Sequence, residues 1–88
     1  MDLPDRWPAL HTMLIDDENR LWIATIVDDR EVYRWWVLSE EGKLLARFDW
    51  PRDHPIEDVK NGNLYSVETS EKTGERNVIR YRIHLTSR

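Results

Sequence analysis

Three histidines, a run of turn acids and five tryptophans are the side chains in this chain that could do chemistry. Strand direction in a meander sends His11, Asp53 and His54 to one rim, with the turns Asp28, Asp29, Arg30 and Lys72 to Arg76. Imidazoles and carboxylates gathered at a rim are the raw material of a metal site or of acid–base work. Zinc, however, requires three or four convergent ligands, and the third histidine, His84, lies on a strand that points elsewhere. The weightier reading of this rim is therefore a set of solvated loop residues. No residue is assigned as catalytic, cofactor-binding or metal-ligating, and no cofactor is expected.

Asp16, Asp17, Glu18 and Asn19 invite a calcium reading. A helix-loop-helix calcium loop needs acidic or amide ligands at alternate positions followed by Gly, yet Arg20 occupies the third ligand position and no Gly follows. These four residues are expected to form a solvated turn tip. Asp49, Asp53, Glu57 and Asp58 are read as surface charge, because no apolar pocket is evident to raise a carboxyl pKa. No serine sits in a nucleophile elbow and no Gly-rich loop opens a helix, so enzyme activity is not expected. Trp22, Trp35 and Trp36 could stack sugars or bases, but their strands are apolar on both faces, which places them between sheets. Where a covering layer is missing, the same three become a candidate interface.

The elements that must position these residues are strands throughout. Leu10 to Ile15, Leu21 to Val27, Val32 to Leu38 and Lys43 to Asp49 read as four strands joined by short polar turns, an antiparallel meander occupying residues 9–49. The segment 50–55, with two prolines, breaks the ladder. Ile56 to Val59, Asn63 to Thr69 and Asn77 to Leu85 follow as a three-stranded unit over 56–85, with Asn61-Gly62 a type I′ hairpin turn. Asn19 is the residue best able to turn left-handed in the first hairpin. The last strand is expected to present Arg80, Arg82 and His84, with Ser66 and Glu68 of its neighbour, as one polar face. No segment keeps an apolar helical period between capping residues.

The second unit repeats the first. Leu21-Trp22 aligns with Leu64-Tyr65 at an offset of 43, and Arg34 to Val37 with Arg80 to Ile83 at 46, which places a longer turn around Gly74. Trp7-Pro8 and His11 also fall on Trp50-Pro51 and His54 at 43. Such a period matches the roughly 40–50 residues of a propeller blade. The runs LIDDENRLWI, EVYRWWVLSEEGKLLARFDWP, DVKNGNLYSV and ERNVIRYRI resemble the C-terminal end of six-bladed β-propellers of the superfamily that includes NHL-repeat and TolB-type proteins. The resemblance covers residues 8–85 and implies an all-β fold of two blades packed face to face, taken from a longer ring. It further implies a non-enzymatic binding or scaffold role, with the remaining blades of an exported parent as neighbours. An autonomous two-sheet β-sandwich and the rim of a catalytic propeller are the alternatives.

Composition narrows the partners. With 40% hydrophobic and 34% charged residues and no Cys, the chain is globular and unstapled. Residues 1–70 hold 8 basic and 15 acidic groups, whereas 71–88 hold 5 basic and 2 acidic. An acidic chain without a basic stripe argues against duplex nucleic acid, and no apolar run is long enough for membrane insertion. The expected partners are proteins: further blades, a second copy meeting the first sheet, or an acidic surface meeting the basic last strand.

Overall fold

The structure, a computed structural model, describes residues 6–84 and is all-β: two antiparallel meander sheets, without a helix. Sheet A comprises β1 (Leu10–Ile15), β2 (Leu21–Ile26), β3 (Val32–Leu38) and β4 (Leu44–Pro51); sheet B comprises β5 (Ile56–Lys60), β6 (Asn63–Thr69) and β7 (Arg76–Arg82). Strand order follows chain order in both. The last strand ends at Arg82, so His84, expected on it, lies past its end, and Leu85, expected as its final residue, lies outside the described residues.

Period-two alternation decides which side chains form the core between the sheets. The ladder sets Trp22 opposite Val37 and Ala24 opposite Trp35, and all four are buried against Ile56, Val59 and Leu64 of sheet B. Phe48 and Trp50 complete this face from β4, and edge-to-face ring contacts run from Trp22 to Phe48 to Trp50 and across to Tyr81 of β7. Sheet A is apolar on its outer side too, where Ile23, Thr25 and Trp36 are buried. The lead-in covers part of that side: Trp7 meets Trp36 edge-on at 5.0 Å, and the Ala9 carbonyl accepts from Ile26 N–H.

Four expectations need correction. Trp50 and Pro51 do not break the ladder but extend β4, opposite Tyr33 and Val32. Proline is tolerated there because β4 is an edge strand. A bulge at Leu44 and Leu45 interrupts alternation in β4, so Leu44 pairs with Leu38 on the outer side while Leu45 packs on the core. In sheet B, Ser66 stands opposite Ile79 and Glu68 opposite Asn77, whereas Arg80 stands opposite Tyr65 and Arg82 opposite Asn63. Ser66 and Glu68 therefore share the inward side with Leu64, and the arginines lie on the outer side. Finally, the β2–β3 and β6–β7 hairpins are the same length. Leu21 pairs with Leu38 and Leu64 with Tyr81, an offset of 43 in both strands, so no longer turn surrounds Gly74.

The Asn61-Gly62 turn forms as expected, with φ of 53° and 74°. Asn19 also takes positive φ, 60°, and lets the first hairpin fold back on Asp16. Asp16 is no solvated turn residue. Its side chain is buried, accepting from the N–H groups of Glu18 and Arg20 and, at 2.6 Å and 2.9 Å, from Arg20 Nε and Trp22 Nε1. Burial alone would push this carboxyl up, but the donors of Trp22, Arg20 and Glu18 outweigh it and hold it below the ordinary value of 3.8. Neighbouring Asp17 accepts from Asn61 N–H, fastening this turn to the first hairpin of sheet B.

Asp16→Ala leaves the Trp22 indole N–H and the Arg20 head without their acceptor inside the fold. The expected loss is about 3 kcal/mol, read as a lower urea midpoint. A carboxyl with depressed folded pKa stabilises above its unfolded value and loses that contribution as pH falls through the folded one. The wild type should therefore lose stability more steeply than Asp16→Asn on acidification below about pH 4, measured by urea titrations across that range.

Candidate functional site

Of the residues expected at one rim, the structure brings His11 and His54 together. His11, at the bulge of β1, and His54, in the crossing between the sheets, line one cleft of about 250 Å³ whose walls include Tyr33, Trp35, Trp50 and Arg52. Tyr33 is its centrepiece: the His11 ring stacks on it at 3.9 Å and 14°, and the Arg52 guanidinium lies 4.6 Å from its centroid. Arg52 was missed as a site residue, having no signal beyond its place between prolines. Its Nε donates to the Val32 carbonyl, and its Nη2 to the carbonyls of Val27 and Asp29. One guanidinium thus sets the shape of the whole β2–β3 turn. Within that turn Asp29 accepts from Glu31 N–H, and Asp28, Asp29 and Arg30 are all exposed.

His54 is held by its backbone. Its carbonyl accepts from Trp50 Nε1 at 2.8 Å and from Ser66 Oγ at 3.3 Å, so the crossing loop is pinned to both sheets. Its ring nitrogens lie 3.6 Å from Asp53 and 3.8 Å from Glu68, beyond hydrogen-bond distance, and form ion pairs only when the ring is protonated. Glu68 in turn accepts from the Tyr81 hydroxyl at 2.6 Å, which raises that phenol's pKa. Asp53 faces a separate hollow with Arg30 and Arg52.

The cleft therefore joins His11 to His54 but not to the remaining candidates. The Lys72–Arg76 turn closes on itself, Gly74 N–H donating to Ser70 and Ser70 N–H to Glu75. Among the described residues no three histidine or acidic side chains converge as a metal site. Stacking faces, two imidazoles and a cation equip the cleft to hold a flat group.

The candidate interface lies elsewhere than expected. Trp22, Trp35 and Trp36 are each less than 5% exposed, so a partner cannot touch them on this surface. Two of the three meet an indole acceptor inside the chain, Trp22 at Asp16 and Trp36 at Thr25. The exposed apolar side chains of sheet A are Leu10, Met13, Ile15 and Ile26, with Trp7 beside them.

Arg52→Ala should release the 27–32 turn: faster amide exchange there, unchanged protection in the middle of β2 and β3, and about 2 kcal/mol less stability. Arg52→Lys should restore only part of the protection, because a single ammonium cannot span the three carbonyls in a fixed fork. Exchange rates in the turn that stay at wild-type values would remove Arg52 from this role.

Comparison with protein-family models, with curated proteins and with solved structures finds no match to this chain.

Proposed function

We propose that the chain is a non-enzymatic binding or scaffold module, two blades of a six-bladed propeller whose first sheet accepts another sheet on its outer side. One observation carries this reading. At the constant offset of 43, the inward residues of sheet B, Leu64, Ser66, Ile79 and Tyr81, correspond to Leu21, Ile23, Trp36 and Leu38. Those four form the outer side of sheet A. The side that sheet B uses for packing is thus repeated, in more apolar form, on the outside of sheet A. Trp7 and Trp50 also fall at that offset, and each meets a ring of the β3 or β7 counterpart strand edge-on, Trp36 at 5.0 Å and Tyr81 at 5.2 Å. Conversely, Trp22, Ala24 and Val37 of the middle layer become Tyr65, Val67 and Arg80 on the outer side of sheet B, which supports an end layer there.

A second reading is an autonomous β-sandwich, and it has its own support. Ile23 and Trp36 are already buried within the chain, and no buried side-chain polar atom lacks a partner among the described residues. The two readings part in solution. As two blades, the isolated chain should self-associate with rising concentration through the outer side of sheet A. The variant Met13→Lys with Ile15→Lys should weaken that association about tenfold or more. Sedimentation velocity over a wide concentration range is the measurement. A strict monomer that unfolds cooperatively would instead establish the sandwich.

A further inference from the structure

Sheet B stops one strand short of sheet A. By register β7 is the counterpart of β3, and β3 is flanked on its far edge by β4. The outer edge of β7 has no strand beside it among the described residues, so its outward N–H and C=O groups have no ladder partner there. The shortfall leaves a second mark. A cleft of about 340 Å³ opens between β4 and β7, lined by Phe48, Trp50 and Tyr81 together with Arg47, Arg82 and His84. The inward side chains of a strand laid along β7 would reach this cleft.

The outward side of β7 states the other half of the requirement. Arg76, Val78, Arg80 and Arg82 succeed one another along it, all exposed, and among the described residues none of the three arginines makes a salt bridge. We propose that β7 takes up an extended segment of a partner protein as a fourth strand, with acidic side chains alternating with apolar ones. Main-chain bonds to the open edge supply the pairing. Acidic residues on one side of the strand meet the three arginines across the ladder, where opposite charges stabilise and like charges do not. Apolar residues on the other side fill the cleft beside Phe48, Trp50 and Tyr81. This deepens the reading of the chain as a binding module and uses a different surface from the outer side of sheet A.

The test is fluorescence anisotropy with the whole chain and a labelled, end-blocked peptide of about eight residues alternating Glu and Val. The alternating Glu peptide should bind, more weakly at about 200 mM than at about 50 mM salt. A Lys–Val alternation and a peptide of the same Glu and Val grouped in two blocks should not. Arg80→Glu with Arg82→Glu should weaken binding of the Glu peptide about tenfold or more and create binding of the Lys peptide. That gain keeps the test decisive, since a misfolded variant gains nothing. Amide exchange in β7 should slow when the Glu peptide is present. No binding to the wild type, binding indifferent to the charge reversal, or a second copy already paired along β7 would overturn the proposal. The Met13→Lys, Ile15→Lys variant should bind the peptide as the wild type does, so this inference and the docking of sheet A fail separately.

Discussion

Sheet A carries a tryptophan toward each of its sides, Trp35 inward and Trp36 outward on successive residues, and everything else in the molecule serves to keep both sides dry. Sheet B covers the inner side and the lead-in covers part of the outer one. An indole brings an N–H into the dry interior with it, and that group must be bonded there. Trp22 therefore requires Asp16, Trp36 requires Thr25, and Trp50 requires the His54 carbonyl. Each partner lies at a place that also fixes the chain path: a hairpin, a central strand, the crossing between sheets. Satisfying the indoles and closing the fold are the same set of bonds.

Asp16 shows how local and global demands are met together. A buried carboxylate with four donors orients Arg20 and seats Trp22 in the core, while the Asp16 carbonyl accepts from the N–H of Asn19 at its left-handed bend. Asp17 then reaches the backbone of Asn61, so the first hairpins of the two sheets are coupled at one end. At the opposite end the His54 carbonyl, bonded to Trp50 of sheet A and Ser66 of sheet B, does the corresponding work. The face-to-face packing is thus clamped at both ends by polar bonds, while the middle is held by rings and aliphatic side chains.

Strand positions were legible in the sequence because alternation and turn residues are local: β1, β3 and β6 have the expected bounds, and Asn61-Gly62 turns as its type requires. The rim containing His11 and His54 was legible for the same reason, since strand direction alone decides it. What escaped was whatever depends on register. Side assignment in β6 and β7 follows from which residues stand opposite, and a sequence offset that drifts from 43 to 46 hides it. The bulge at Leu44 and Leu45 leaves no compositional trace. Asp16 read as a turn acid because its chief acceptor role toward Trp22 spans six residues and a hairpin. Arg52 acts on carbonyls more than twenty residues away, which no spacing rule anticipates.

The four sheet edges are treated differently, and the differences bear on what the chain can meet. An open edge invites pairing with any other strand unless charge, proline or a bulge discourages it. β4 carries Arg47, Asp49 and Pro51; β5 carries Glu57, Asp58 and Lys60 and a bulge; β1 is uncharged apart from His11 and is bulged there. β7 is regular along its whole pairing with β6 and carries charge of one sign only on its outer side, in Arg76, Arg80 and Arg82. Mixed charge discourages every neighbour about equally, whereas charge of one sign discriminates. Antiparallel pairing of two β7 edges would set arginine near arginine, which like-charge repulsion opposes. Regular backbone, three arginines without a salt bridge and an adjacent aromatic-lined cleft coincide at this edge and at no other among the described strands.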